Sequence, residues 1–141
     1  MNADNLSGTY ELVFYSTTRI ETTNVNGLDV VSTITNVGDT FEVDYTFTPD
    51  GRYTAAGLFR IVLTIMVNGE LTSEDAFIET VSITNGRFST TSSSSILVLD
   101  GIDYEVGIFN ENELRVRFNE IRTFPNGDTE DYTEELRFLR K

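Results

Sequence analysis

The sequence predicts an all-β protein, folded as an antiparallel up-and-down β-barrel of about eight to nine strands. Six Asn-Gly or Asp-Gly dipeptides interrupt the chain, and such pairs are the strongest short-range signals for hairpin turns. Val, Ile, Phe, Tyr and Thr form about two fifths of the residues, whereas only four are Ala, which favours strands over helices. Because no helical pattern separates the turns, a meander is favoured over βαβ units.

The turns divide the chain into nine strand segments. The dipeptides lie at residues 26–27, 50–51, 68–69, 85–86, 100–101 and 126–127, with softer breaks at 37–39 and 110–113. The segments between them are 8–20, 28–37, 41–48, 53–67, 71–84, 88–99, 102–109, 114–124 and 129–139. An antiparallel β-sandwich is the alternative, but sequential hairpins favour the barrel. The 141 residues suffice for one core, so a single domain over 1–141 is expected.

The hairpin around Pro49-Asp50-Gly51 fixes its own register. Residues 41–48 alternate between large apolar side chains and acids or Thr, and the Pro-Asp-Gly loop suits a type I turn followed by a left-handed glycine. If Thr48 faces Arg52, the pairs on the apolar face are Phe47 with Tyr53, Tyr45 with Ala55, Val43 with Gly57 and Phe41 with Phe59. Turn chemistry and hydrophobic register therefore agree.

A second loop, Pro125-Asn126-Gly127, passes the same test. With Phe124 opposite Asp128, the register pairs Phe118 with Glu134, Val116 with Leu136 and Leu114 with Phe138. Arg115, Arg117, Glu135 and Arg137 then lie on the solvent face.

Two segments depart from simple alternation. Residues 61–67 are apolar on both faces of the strand. The outer face is then covered by another part of the chain, packs on a partner or lies near a membrane, and cover by the chain itself is favoured. The Ser/Thr run 89–95 has little to pack and is interpreted as an edge strand or rim loop, with hydroxyls that could serve a binding mouth.

Composition excludes several classes of chemistry. The chain has no Cys, His or Trp and a formal charge of −13, which argues against Cys/His zinc sites, nucleic-acid binding and attraction to anionic membranes. No apolar stretch is long enough to span a bilayer. Paired carboxylates could serve a glycosidase, and turn oxygens at 100–103 and 126–131 could hold calcium, but chance and turn preference explain both better. We therefore expect no enzyme, no metal and no cofactor.

Aromatic residues dominate the predicted inward faces. They are Tyr10, Phe14, Phe41, Tyr45, Phe47, Tyr53, Phe59, Tyr104, Phe118 and Phe138. An eight-stranded barrel is wide enough either to be filled by such side chains or to hold one small ligand. Buried Tyr hydroxyls at Tyr45 and Tyr53 favour the second case, because a ligand or water could supply their partner.

The ends of the chain and one hairpin resemble a known family. Leu6-Ser7-Gly8-Thr9-Tyr10-Glu11-Leu12 is similar to the opening Gly-x-Trp strand of lipocalin-like (calycin-type) domains, with Tyr10 in place of Trp. Residues 45–54 and 135–141 resemble the hairpin and the closing strand of small lipocalin-like domains in surface lipoproteins of the Bacteroidetes. Arg140 would be the basic residue that covers the ring of Tyr10.

The resemblance implies an eight-stranded barrel with a cavity open at one end. It also implies an exported protein, periplasmic or anchored to the outer membrane through a lipidated Cys. Residues 1–5 show no basic and apolar signal segment, so we expect the native gene to encode one ahead of Asn2.

The leading hypothesis is a non-enzymatic binding protein for a small, largely apolar ligand in the barrel interior. The expected lining residues are Phe41, Tyr45, Tyr53, Phe59 and Phe118. No Lys or His lies at an inward position, so a carboxylate head group would depend on Arg140 or a Tyr hydroxyl, and neutral ligands are favoured over anionic ones. The alternative is a surface interaction or assembly module with a filled barrel and no ligand.

The charge of −13 leads to a prediction about salt. We expect the melting temperature to rise between 0.01 and 0.5 M NaCl, because the Debye length falls from ~30 Å at 0.01 M towards ~3 Å at 1 M and screens self-repulsion. Differential scanning calorimetry at several salt concentrations measures it. A flat or falling curve would show that local ion pairs outweigh the global repulsion.

Overall fold

The computed structural model describes residues 1–93 and 95–141 and is all-β, a closed barrel of eight antiparallel strands in chain order. The strands are β1 (Gly8–Val25), β2 (Leu28–Thr48), β3 (Arg52–Val67), β4 (Glu70–Thr90), β5 (Ile96–Leu99), β6 (Ile102–Phe109), β7 (Glu113–Thr123) and β8 (Thr129–Arg140). A short helix α1 (Ala3–Leu6) precedes them. The predicted fold class is thereby confirmed. With four residues, α1 is the one helix of the described chain and far too short to cross a membrane.

Five of the six Gly dipeptides form the predicted turns. Asn26-Gly27, Asn68-Gly69 and Asp100-Gly101 have positive φ at both residues, as a two-residue type I′ turn requires. In the two Pro-containing loops only Gly51 and Gly127 have positive φ, as a three-residue loop ending in a left-handed glycine requires. Each hairpin is thus specified by its local residues.

The prediction of a turn at Asn85-Gly86 was wrong. Both residues lie inside β4, and Gly86 pairs with Tyr53 of β3. A Cβ at Gly86 would lie 2.5 Å from the Tyr53 ring, so the glycine is there to let the ring pack against the backbone. The Ser/Thr run accordingly ends β4 and continues into the β4–β5 loop, and Ser94 lies outside the described residues.

The predicted segments 28–37 and 41–48 are one strand, not two. β2 continues through a bulge, because Asp39 pairs with Arg60 and Glu42 with Leu58, which leaves Thr40 and Phe41 opposite one residue. Thr40 has φ 51°, and the extra residue reverses which side chains point inward beyond it.

The registers predicted for the two Pro-containing hairpins are confirmed, except for the pair of Phe41 with Phe59, which the bulge at Thr40-Phe41 interrupts. Phe47, Tyr45 and Val43 face Tyr53, Ala55 and Gly57. Phe41, at the bulge, stacks on Phe59 with ring centroids 5.4 Å apart. In the other hairpin, Phe118, Val116 and Leu114 face Glu134, Leu136 and Phe138.

A bulge in β1 changes the faces of its aromatic residues. Leu12 pairs with Phe138 and Phe14 with Arg137, so Val13 is the extra residue. Phe14 therefore points outward, where the Arg137 guanidinium lies 4.2 Å from its ring centroid, and the prediction of an inward Phe14 was wrong. Tyr15 takes the inward position instead.

One end of the barrel is tightly closed. The largest fully buried side chains are Tyr10, Phe47, Phe138, Leu6, Leu12, Leu97, Leu114, Val43 and Val116. Arg140 lies over the Tyr10 ring, 4.7 Å from its centroid, and donates to Ser7 O and Asn5 O, each at 2.8 Å. Tyr10 in turn donates to Leu6 O at 2.9 Å, so α1 and both terminal strands are joined there.

The opposite end is wide open because the strands are unequal in length. β5 has four residues, and it pairs with β4 only over Phe88–Thr90. Within the described chain, residues 70–86 of β4 therefore have a free edge, as do residues 118–123 of β7. Among the described residues, β3 packs appreciably only against its neighbours β2 and β4. The apolar residues among 62–67 are therefore only half-buried, and the predicted cover of their outer face by the chain itself is not found there.

We predict that Gly57→Ala strongly destabilises the barrel. Gly57 has φ +136°, and a Cβ there would lie 1.8 Å from Glu42 O on the neighbouring strand. Backbone strain and this clash together should lower the free energy of unfolding by at least ~3 kcal/mol, measured by urea denaturation.

Gly107→Ala is the matched control. A Cβ at Gly107 has its nearest neighbour at 3.7 Å, so its unfolding free energy should change by no more than about 0.5 kcal/mol. Equal stabilities for the two variants would contradict the pairing of Gly57 with Val43.

Candidate functional site

A cavity of about 430 Å³ lies above the closed core, where the strands begin to diverge. Its apolar lining comes from Leu12, Phe59, Ile61, Phe77, Val81, Ile83, Leu99, Ile102 and Leu136, and its polar lining from Tyr15, Asn36, Tyr45, Tyr53, Glu79, Asp100, Tyr104 and Glu134. Leu12, Phe59 and Leu99 are buried, whereas Phe77, Asp100 and Ile102 are exposed. The cavity is therefore apolar at its base and open to solvent beside β4 and the β5–β6 turn.

Three of the five predicted lining residues lie in this cavity: Tyr45, Tyr53 and Phe59. Phe41 stacks on Phe59 from behind and supports the wall without forming part of the lining. Phe118 lies higher, between Tyr104 and Tyr132, at centroid distances of 6.0 and 6.1 Å. The structure thus brings the predicted aromatic residues together, but two of them form a second layer.

Sequence reasoning missed the contribution of β4. Phe77, Glu79, Val81 and Ile83 share one face of that strand and all line the cavity. These residues alternate with outward residues in the sequence, but the apolar Ile78, which is exposed, interrupts the pattern of apolar and polar residues. The turn wrongly predicted at Asn85-Gly86 also ended the strand too early. Tyr15 was missed because only the bulge at Val13 turns it inward.

Glu134 is the central charged group of the lining. Its Oε1 accepts a hydrogen bond from the Tyr104 hydroxyl at 3.0 Å, and its Oε2 accepts one from the Tyr132 hydroxyl at 3.0 Å. The predicted pairing of Glu134 with Phe118 had already placed this carboxylate on the inward face, and the register confirms it. The two phenols hold the carboxylate in a fixed orientation.

Asp100 holds the rim of the cavity together. Its Oδ2 accepts a hydrogen bond from the Tyr53 hydroxyl and its Oδ1 one from the backbone N–H of Arg87 at 2.8 Å. The Tyr53 bond, followed by the Arg87 bond, keeps the pKa of Asp100 below its ordinary value. The turn at Asp100-Gly101 is thereby tied to β3 and β4.

All six tyrosines have a raised pKa. Burial is the first cause for each of them, because it disfavours the phenolate. Tyr15 and Tyr45 reach a pKa of about 12, and the negative charge of Glu134 contributes to both. The same charge raises the pKa values of Tyr104 and Tyr132. The inward tyrosines therefore stay neutral and can donate hydrogen bonds at neutral pH.

Asn36 adds a polar group to the cavity wall. Its Nδ2 donates to Thr17 Oγ1 at 3.1 Å, while its Oδ1 is buried with no hydrogen-bond partner in the described chain. An unpaired buried acceptor typically costs about 1–3 kcal/mol. The position arises from the bulge in β2, which turns Asn36 inward.

The basic residues lie away from the cavity lining. Arg140, which the sequence offered as a partner for an anionic ligand, is at the closed end over Tyr10. The guanidinium of Arg19 also lies on the inner side of the barrel but is not part of the cavity lining. It lies 5.4 Å from the Tyr132 ring centroid and pairs with Glu130 at 3.2 Å. No group of three or more carboxylates in the described residues is placed to hold a metal ion.

Comparison with known proteins adds no relative: no family model, no curated protein and no solved structure matches the chain. The geometry of the cavity therefore has to carry the functional argument.

We predict that the native protein resists ionisation of its tyrosines. Their folded-state pKa values lie above the ordinary value of 10, at about 12 for Tyr15 and Tyr45. Absorbance at 295 nm should show little phenolate up to about pH 11 in the folded state, and half-ionisation near pH 10 in urea.

Stability should follow the same groups. The pKa values of Tyr15 and Tyr45 are higher in the folded than in the unfolded protein. The neutral tyrosines therefore contribute their full stabilisation below pH 10, and this part of the free energy of unfolding is lost as pH rises from 10 through about 12. Urea midpoints that stay constant over that range, or early phenolate absorbance without unfolding, would contradict the buried environment of the tyrosines.

Proposed function

We propose that the protein is a non-enzymatic binding protein for a small, largely apolar ligand held in the barrel interior. The observation that carries the proposal is the open cavity of about 430 Å³, with aromatic and aliphatic walls and a few fixed polar groups. Ligand sites are typically concave, mainly apolar and of this size. The expected alternative of a filled barrel has less support, because the interior above Leu12 and Leu99 is not occupied by side chains.

The energy available in such a cavity is sufficient for useful affinity. Removing about 400 Å² of apolar surface from water yields roughly 10 kcal/mol at ~25 cal/mol per Å². At least about 4 kcal/mol of this is lost to the freedom of the ligand, and micromolar binding requires about 8 kcal/mol. Hydrogen bonds between the ligand and the Tyr hydroxyls therefore have to supply roughly 2 kcal/mol for binding in the micromolar range.

We further propose a lipocalin-like origin and export. The packing of Arg140 over Tyr10 at the junction of the first and last strands supports the resemblance that the sequence shows at these residues. The native gene should then encode a signal peptide, with a lipidated Cys, ahead of Asn2. Genomic sequence upstream of that position tests this, and a start codon at Met1 would refute it.

A second candidate function is that of a surface interaction module. The free edge of β4 favours it, since Leu71 and Ile78 are each 59% exposed there, and free edges and exposed apolar residues both serve contacts between chains. Acidic residues Glu70, Glu74 and Asp75 on the same strand disfavour pairing with a second copy. A strictly monomeric protein in light scattering, together with saturable ligand binding, would favour the first candidate.

We predict that Val81→Trp blocks the cavity. Val81 lines it from β4 opposite Gly57, so the larger ring should lower the affinity for the neutral dye N-phenyl-1-naphthylamine by about tenfold or more. Dye fluorescence titration measures the dissociation constant.

Thr80→Trp is the matched control. Thr80 is the preceding residue, exposed and paired with Leu58 on the outer wall, so dye affinity should stay within about twofold of the original protein. No saturable dye binding, or equal affinity in the two variants, would overturn an internal binding site.

A further inference from the structure

We propose that the ligand is an organic cation, an ammonium group on an apolar body, and that Glu134 and Glu79 provide its counter-charge. This inference rests on the proposed function and names the chemical class of ligand for the same cavity. It goes beyond the preference for neutral over anionic ligands that the sequence indicated.

The lining of the cavity is negatively charged. Glu79, Asp100 and Glu134 line the cavity, and no Arg or Lys is among its lining residues. Seven ion pairs occur in the described parts of the chain, and Glu79 and Glu134 belong to none of them. The cavity therefore carries negative charge that the protein itself leaves uncompensated.

The hydrogen bonds at Glu134 leave its charge available to a ligand. Both of its hydrogen-bond donors are neutral phenols, Tyr104 and Tyr132, at 3.0 Å. They fix the orientation of the carboxylate without cancelling its charge, and each oxygen retains acceptor capacity. Arg19, the guanidinium on this side of the interior, is paired with Glu130 at 3.2 Å. A ligand cation has no competitor bonded to Glu134.

A ligand that enters the cavity displaces the solvent around Glu134. A neutral apolar ligand that fills the cavity strips water from Glu134 and leaves a charge without compensation, which is unfavourable. An ammonium group replaces that water with an opposite charge and with N–H donors. An anionic group at the same place adds repulsion. The cavity thus discriminates among head groups by charge.

The aromatic walls act in the same direction. Tyr15, Tyr45, Tyr53 and Phe59 line the same cavity as the carboxylates. Aromatic rings attract cations. The hydroxyl of Tyr15 lies within the fields of both Glu79 and Glu134, which raise its pKa. Rings and carboxylates therefore converge on one region of the cavity.

The apolar body of the ligand has a separate place. Leu12 and Leu99 are buried at the base of the cavity, and Leu136, two residues from Glu134 on β8, is also buried and lines it. Because inward residues of a strand alternate, Leu136 lies directly next to Glu134 along the wall. A short amphiphile can therefore reach both regions at once.

Three compounds that share one apolar body test the inference. 4-Phenylbutylamine, 4-phenylbutanol and 5-phenylpentanoate carry the same phenylbutyl body and differ only in the head group, and isothermal titration calorimetry at low salt gives their dissociation constants. We expect the amine to bind about tenfold or more tightly than the alcohol, and the carboxylate more weakly than both. The preference for the amine should shrink as NaCl is added.

Variants separate the cavity from the net charge of the protein. Glu134→Gln and Glu79→Gln should each reduce the ratio of amine affinity to alcohol affinity by about threefold or more. The affinity for the alcohol should stay within about twofold of that of the original protein. Glu111→Gln makes the same change of charge in the exposed β6–β7 turn and should leave the ratio unchanged. Glu79 is exposed, with no side-chain hydrogen bond among the described contacts, so its variant should fold normally.

The outcomes distinguish the inference from the function on which it rests. Equal binding of amine and alcohol, or a ratio that Glu111→Gln lowers as much as Glu134→Gln, overturns the cation class and leaves an apolar binding site. Failure of all three compounds, together with the neutral dye, to bind saturably overturns the binding function itself.

Discussion

Closure of the barrel through the pairing of β1 with β8 is the constraint on which the rest of the structure depends. The pairing runs from Tyr10 with Arg140 to Thr22 with Thr129. Arg140 fixes its start, since it covers the Tyr10 ring and donates to Ser7 O and Asn5 O. A slip of one residue would exchange inward and outward faces along the strand. The cavity-lining side chains of these two strands, Leu12, Tyr15, Glu134 and Leu136, therefore follow from this register.

Unequal strand lengths leave one end of the closed barrel open and create its cavity. β5 ends after four residues, whereas β4 has 21, so only the lower part of the ring is complete on that side. Water reaches the interior above it, and charged inward residues such as Arg19 and Glu134 are tolerated there. A barrel with eight equally long strands would enclose this space, which side chains or one small ligand would then occupy. The cavity and its polarity thus have one cause.

The chemistry of the cavity reflects its position between two environments. Its base belongs to the dry core, with Leu12 and Leu99 buried, and its mouth carries carboxylates held by phenols. Tyr104 contributes to both, because its ring is buried and its hydroxyl bonds to Glu134. Such an arrangement favours a ligand with an apolar end and a hydrogen-bond-donating end. Both proposals made above, a small apolar ligand and its cationic head group, follow from this gradient of polarity.

The sequence by itself determined the turns and the registers next to them. Asn26-Gly27, Asn68-Gly69 and the two Pro-containing loops fold as predicted, because positive φ and fixed proline φ are properties of single residues. The tertiary structure decided which faces point inward beyond each bulge. The extra residues at Val13 and at Thr40-Phe41 turn Tyr15 and Asn36 towards the cavity. A bulge depends on the path of the neighbouring strand and on closure of the ring, and neither is encoded in the local alternation of apolar and polar residues.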